Sequence, residues 1–132
     1  AICLGLQLLF HSSDESPGVN GLKLFDGNVF RIPSSEFFNV PHIGWNSLSR
    51  TIYTPSILSD YFDDKGISVS DYYFVHSYFA KPSSETISIA TVSHPSCLLD
   101  VAFYQDNVYA FQFHPEKSGP NGYHLLNQVI IK

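Results

Sequence analysis

Ala1-Ile2-Cys3-Leu4-Gly5-Leu6-Gln7-Leu8-Leu9-Phe10-His11 is the stretch that decides the fold. Residues 1–3 read as the end of an apolar strand, and 4–11 carry helical spacing, with Leu4, Leu8 and Leu9 toward one face. A strand that ends in small-x-Cys-x-Gly and passes straight into a helix describes a nucleophile elbow. Such a turn holds the side chain in a strained, exposed pose, and small flanking residues let the backbone fold back on itself. At a helix N-terminus the dipole and free N–H groups favour the thiolate, so a lowered Cys3 pKa is expected. The N–H of Leu4 is then placed to hold a developing oxyanion. Taken alone, the stretch also fits a buried structural cysteine beside a glycine turn.

A second segment, Phe111-Gln112-Phe113-His114-Pro115-Glu116-Lys117-Ser118, changes that balance. Its alternation delivers His114 at a strand end, and Pro115 stops the ladder. Glu116, two residues on, reaches the other ring nitrogen of His114 and fixes its tautomer. Thiolate, imidazole and orienting carboxylate together make a Cys-His-Glu triad.

Between these segments the chain reads as short elements. Residues 12–18 are a loop, since Ser, Asp, Pro and Gly favour turns. Extended runs at 22–25 and 28–32 are joined by Asp26-Gly27, a strong hairpin signal. Residues 33–39 are a loop, 43–48 a strand, and 55–61 one or two helical turns. Asp60–Gly66 is an acidic, exposed insertion. From Tyr72 the chain turns β, with strands at 72–79, 86–92, 98–104 and 107–113 and a tight turn at 105–107. Residues 122–131 have the apolar spacing of an amphipathic helix. Helix, strands and helix in that order predict an α/β domain.

Composition narrows the function classes. The 132 residues, 44% hydrophobic and 14% charged, suit one domain with a real core rather than disorder. No run of 18 apolar residues occurs, so no membrane helix is expected. The net charge of -5 and the lack of a Lys/Arg cluster argue against nucleic acid as a partner. Two cysteines, Cys3 and Cys97, make no disulfide framework, which favours a reducing, cytoplasmic setting. Cys97 reads as a half-buried hydrophobe, and His11, His94 and His124 as surface residues. His94 and Cys97 lie three apart but lack partner ligands, so no metal site is expected. The chain holds no Met, and its opening shows no charged n-region or cleavage pattern of a signal peptide. The expectation is a single partial domain over 1–132, the C-terminal part of a longer protein.

AICLGLQLLF, PHIGWN, YFVHSY and QFHPEKSG, in that order, resemble the class I glutamine amidotransferases, and within them the glutaminase subunits of imidazole glycerol phosphate synthase. The resemblance covers essentially the whole chain. It implies an α/β fold with a mainly parallel sheet flanked by helices, lacking here its N-terminal strands. It implies hydrolysis of glutamine to glutamate and ammonia without a cofactor, the ammonia passing to a cyclase partner in a heterodimer of histidine biosynthesis. By the same resemblance Cys3 is the nucleophile, His114 the acid and base, Glu116 its orienter, and Leu4 the oxyanion donor. Gly5, Gln7, Glu15, His76 and Ser77 match substrate-binding positions, and Trp45, Asn46, Tyr73 and Lys117 match the face toward the cyclase.

Two departures stand out. Ala1 occupies a place where the family usually has Gly, and the glycine-rich loop that supplies the second oxyanion contact lies upstream of these residues in the family. Two other readings share many of these motifs. One is a paralogous subunit supplying ammonia for sugar amidation in surface polysaccharide. The other is a non-catalytic docking module, against which the intact Cys3, His114 and Glu116 speak.

Overall fold

Connections decide how strands pair, because parallel neighbours need a long crossover whereas antiparallel neighbours are joined by turns. The computed structural model describes residues 1–34 and 40–130. Its strands are β1 (Gly27–Arg31), β2 (His42–Arg50), β3 (Ile67–His76), β4 (Tyr78–Pro82), β5 (Ser88–His94), β6 (Cys97–Gln105) and β7 (Val108–Phe111). Helices α1 (Leu4–Leu8) and α2 (Gly119–Ile130) bracket them, with 3-10 turns at Ser56–Tyr61, Glu85–Ile87 and Pro115–Lys117. Five strands form one sheet in the order β3-β2-β5-β6-β7, and β1 pairs with β4.

The α/β class holds, and the expected mainly parallel sheet is corrected. Every described strand pair is antiparallel, since turns and 3-10 segments link β2 to β7. Among the described residues, parallel pairing is limited to single bridges, Ile2 to Phe111 and Ser13 to Val29. The first of these places residues 1–3 beside β7: Cys3 N donates to Phe111 O at 2.7 Å, and Phe111 N to Ala1 O at 2.9 Å.

Alternation along β6 and β7 supplies two cores, since successive side chains point to opposite faces. On one face Leu125 of α2 joins Tyr72, Phe74, Phe111 and Phe113. On the other, Phe103 and Ala110 meet Leu6, Leu9, Phe10, Phe25 and Ala80. The elbow and the His114 strand end are thus held between two packed layers.

Several elements lie where the sequence puts them. The strand at 43–48 is the middle of β2, and 55–61 is a 3-10 turn. The turn at 105–107 is a two-residue hairpin with Asp106 at φ 50 and Asn107 at φ 66, the pair of positive angles such a hairpin requires. The amphipathic helix starts earlier, at Gly119, and of its expected span Ile131 lies outside the described residues, as do 35–39 of the expected loop. Asp63 folds the acidic insertion back, its Oδ1 accepting from Lys65 N and Ile67 N, both at 2.9 Å. The β run from Tyr72 breaks at Ser77 into β3 and β4, and the 86–92 run begins as a 3-10 turn.

The hairpin predicted at Asp26-Gly27 does not form. Residues 22–25 are not a strand: Leu22 N donates to Leu8 O, and Leu24 N and Phe25 N both donate to Leu9 O. Those bonds satisfy the carbonyls that a helix end leaves open, and they stop α1 at Leu8 rather than at His11. β1 pairs with β4 instead, and Gly27 permits it: a Cβ there would lie 2.3 Å from Lys81 O.

Candidate active site

Cys3 stands at the junction of the residue 1–3 strand and α1 with φ 50 and ψ -110. A non-glycine residue in that region stores about 1–3 kcal/mol of strain. Ala1 and Gly5 face each other across the turn, a Cβ at Gly5 falling 3.8 Å from Ala1 Cβ, so there is room for one small side chain. Gly5 N donates to Ile2 O at 2.8 Å and closes the elbow.

The thiol pKa is raised, which corrects the sequence expectation. Burial is the main cause, and the carboxylates of Glu116 and Glu15 add to it; the Leu4 N–H and the Gln112 side-chain amide pull the other way. α1 is five residues long, too short for a strong dipole to prevail.

His114 follows the buried pair Gln112 and Phe113 out of the sheet and is anchored on both sides. Its N–H donates to Tyr73 O at 2.9 Å. Its carbonyl accepts from the Ser118 hydroxyl at 2.6 Å, and that hydroxyl accepts from Tyr73 N at 3.0 Å. His114 Nδ1 meets Glu116 Oε1 at 2.6 Å. Glu116 therefore holds Nδ1 as the protonated nitrogen and leaves Nε2 to exchange a proton. The side-chain hydroxyl of Ser118, buried at 5% exposure, is a positioning contact that the sequence reading did not single out.

A cleft of about 380 Å³ opens over the thiol, lined by Cys3, Leu4, Gln7, Glu15, His76 and Ser77, with Pro41, Val75 and Tyr78. Of the expected substrate-binding residues, Gly5 lies behind this wall in the first turn of α1. Gln7 is buried, and its Nε2 donates to Tyr78 O and Gln112 Oε1, both at 3.1 Å. Of the expected docking residues, Trp45 is opposite Tyr73 in the β2–β3 register, with rings 5.6 Å apart and Trp45 54% exposed. Asn46 is half-buried on the opposite face of β2 from Trp45, its Oδ1 turned to His42 Nε2, and Lys117 is exposed in the 3-10 turn after His114.

A histidine cluster behind the cleft escaped the sequence reading. His42 Nδ1 lies 3.0 Å from His76 Nε2, His76 Nδ1 donates to Tyr78 O at 2.8 Å, and His42 Nε2 meets Asn46 Oδ1 at 2.9 Å. His94, expected at the surface, is half-buried with its ring 5.3 Å from that of His42. His11 is half-exposed and pairs with Asp26 at 3.0 Å, and His124 is exposed. The signal was present as His42, His76 and His94, but only the register of β2 on β3 and β5 brings them together.

Burial pushes the His76 pKa down to about 4, helped by His42, His94 and His114 and opposed by the bond to Tyr78 O. Unfolded, the same ring titrates near 6.5. As pH falls the unfolded chain takes the proton first, so this contribution is whole above about 6.5 and is lost on the way to about 4. The loss is about 3 kcal/mol. Urea midpoints measured at pH 7 and pH 4.5 should diverge strongly in the wild type and less in His76→Gln; equal slopes with pH would remove His76 as the cause.

The family model described as glutamine amidotransferase class-I matches residues 1–132. The chain belongs to the class I glutamine amidotransferases. It is 47% identical over 130 residues to the imidazole glycerol phosphate synthase subunit HisH of Thermococcus kodakarensis, covering 95% of this chain and 61% of that one. It is 43% identical over 129 residues to the HisH subunit of Methanothermobacter thermautotrophicus, and 43% over 129 to that of Prochlorococcus marinus, covering 98% of this chain and 60% of each relative. The amidotransferase chain thus spans about three fifths of the length of the curated relatives it matches.

Proposed function

We propose that this amidotransferase chain carries the glutamine-hydrolysing site of an imidazole glycerol phosphate synthase, a cytoplasmic heterodimer in which ammonia passes to a cyclase subunit. The observation that carries the reading is the strained Cys3 elbow facing the same cleft as Glu15, His76 and Ser77, with Glu116, the partner of His114, near enough for its charge to act on the thiol. Cys3 passes its thiol proton to His114 Nε2 and attacks the side-chain amide carbon of glutamine, and the Leu4 N–H, now oriented at sulfur, receives the oxyanion. His114 Nε2 gives a proton to the leaving nitrogen, ammonia departs, and a glutamyl thioester remains. The same nitrogen then takes a proton from water, whose oxygen attacks the thioester and releases glutamate and the thiol.

Glu15 meets the substrate amine, and the backbone at His76 and Ser77 meets its carboxylate, because the His76 ring is committed to His42 and Tyr78 O. Gly5 contributes its backbone N–H, which closes the elbow on Ile2 O, and Gln7 forms the buried side of the pocket. Trp45, Tyr73 and Lys117, with Asn46 beside them in β2, mark the docking region, where the exposed Trp45 ring suits a protein partner.

The test is glutamate release by the longest natural chain that contains these residues, with and without a cyclase subunit, against Cys3→Ser. Release that needs Cys3 and rises with the cyclase is the expected result. Release indifferent to the cyclase would point to another ammonia acceptor, and none at all from a folded pair would overturn the enzyme reading.

A further inference from the structure

Gln112 lies between two core phenylalanines and is wholly buried, at 0% exposure. A primary amide in such a place costs stability unless its groups find partners. Its backbone N–H donates to Val101 O at 2.8 Å, which holds the strand end on β6. The side chain turns away from the phenylalanine core toward the elbow. There its Oε1 accepts from Gln7 Nε2 at 3.1 Å, and its Nε2 approaches Cys3 Sγ at 3.7 Å.

The polarity of this chain of contacts is fixed at its far end. Tyr78 O is a backbone carbonyl and only accepts. Gln7 must therefore present its amide nitrogen there, and the second hydrogen of that nitrogen goes to Gln112 Oε1. Gln112 in turn has only its Nε2 hydrogens left for the sulfur. Turning Gln7 over would set its oxygen against Tyr78 O, and turning Gln112 over would set its nitrogen against the Gln7 nitrogen. A main-chain carbonyl on β4 thus dictates, through two side-chain amides, that a donor faces Cys3.

We propose that Gln112 is a catalytic residue, a built-in hydrogen-bond donor that holds the Cys3 sulfur as thiolate both before attack and when the thiolate is expelled from the thioester. A donor favours sulfur when it is negative, and both steps pass through that state. The direction agrees with the opposition of the Gln112 amide to the burial that raises the Cys3 thiol. With the thiol raised, a rise in thiolate population at neutral pH outweighs the small loss of intrinsic nucleophilicity. The inference rests on the reading of Cys3 as nucleophile and extends it to a residue with no titratable group.

Gln112→Met tests it at similar length and without adding a charge, since a thioether offers the Cys3 sulfur no hydrogen-bond donor. In a Cys97→Ala background, the pH midpoint of Cys3 alkylation by iodoacetamide should rise by about 1–2 units. Glutaminase kcat/KM at pH 7 should fall about ten- to a hundredfold, with the gap narrowing at alkaline pH. An unchanged alkylation midpoint in the folded variant overturns the proposal. A shifted midpoint in a protein with no glutaminase activity supports the contact while removing the glutamine reading, so the two failures are distinct. Should the variant not fold, the wild-type side-chain amide of Gln112, followed by nitrogen-15 NMR, decides. Its resonance should titrate with the Cys3 alkylation midpoint and lose that titration in Cys3→Ser; a resonance that ignores the thiol overturns the contact.

Discussion

Cys3→Gly is expected to be inactive and yet more stable than Cys3→Ala. Removing the nucleophile should lower the glutaminase rate by about 10⁴–10⁶, and both variants share that loss. They differ in the backbone. Cys3 holds φ 50 and ψ -110, where a side chain costs about 1–3 kcal/mol that glycine does not incur. Glycine loses about 0.5–1 kcal/mol elsewhere through the greater freedom of the unfolded chain. The balance favours glycine by about 1 kcal/mol, the reverse of the usual order for these residues. Urea midpoints of the two variants read it directly. If alanine matches or exceeds glycine, the elbow is unstrained and the pose of the thiol needs another explanation.

Gly122→Ala should damage both fold and activity from a position outside the cleft. Gly122 lies in the first turns of α2, and a Cβ there would stand 2.0 Å from Pro115 O and 2.8 Å from Ser118 Cβ. Pro115 and Ser118 belong to the turn that fixes His114 and Glu116, so the clash falls on the acid–base pair. Such overpacking costs about 1–3 kcal/mol, against a gain of about 1 kcal/mol in helix propensity. A displacement of about 1 Å in a catalytic group costs about a hundredfold in rate. Gly119→Ala is the control, because its φ is 68 but nothing lies within 4 Å of the added Cβ. It should lose only about 1–2 kcal/mol and keep the rate. Equal activity of the two variants would mean that α2 does not set the position of His114.

The elbow and the His114 strand end were legible in the sequence because each is local. Cys3 sits between small residues at a strand–helix join, and Pro115 marks where the ladder stops before Glu116. Leu22–Phe25 shows where local signals mislead. Asp26-Gly27 has good hairpin chemistry, but the N–H groups of 22, 24 and 25 are taken by the carbonyls of Leu8 and Leu9, and Gly27 serves a close approach to Lys81. The Cys3 pKa was misjudged for a related reason: helix position was visible, but burial and the carboxylates of Glu15 and Glu116 were not. His42, His76 and His94, and the Gln7–Gln112 contact, are separated by 34 to 105 residues or packed across strands. No periodicity in the chain encodes them; the register of β2, β3, β5 and β7 does.

Trapping the acyl-enzyme tests the central claim most directly. The longest natural chain containing these residues, paired with a cyclase subunit, would be mixed with glutamine, quenched in acid within a turnover and digested for mass spectrometry. A glutamyl group on the peptide carrying Cys3 in the wild type, absent in Cys3→Ser, is the predicted result. Glutamate formed at the wild-type rate by Cys3→Ser, with no acyl group on Cys3 in the wild type, would contradict the account.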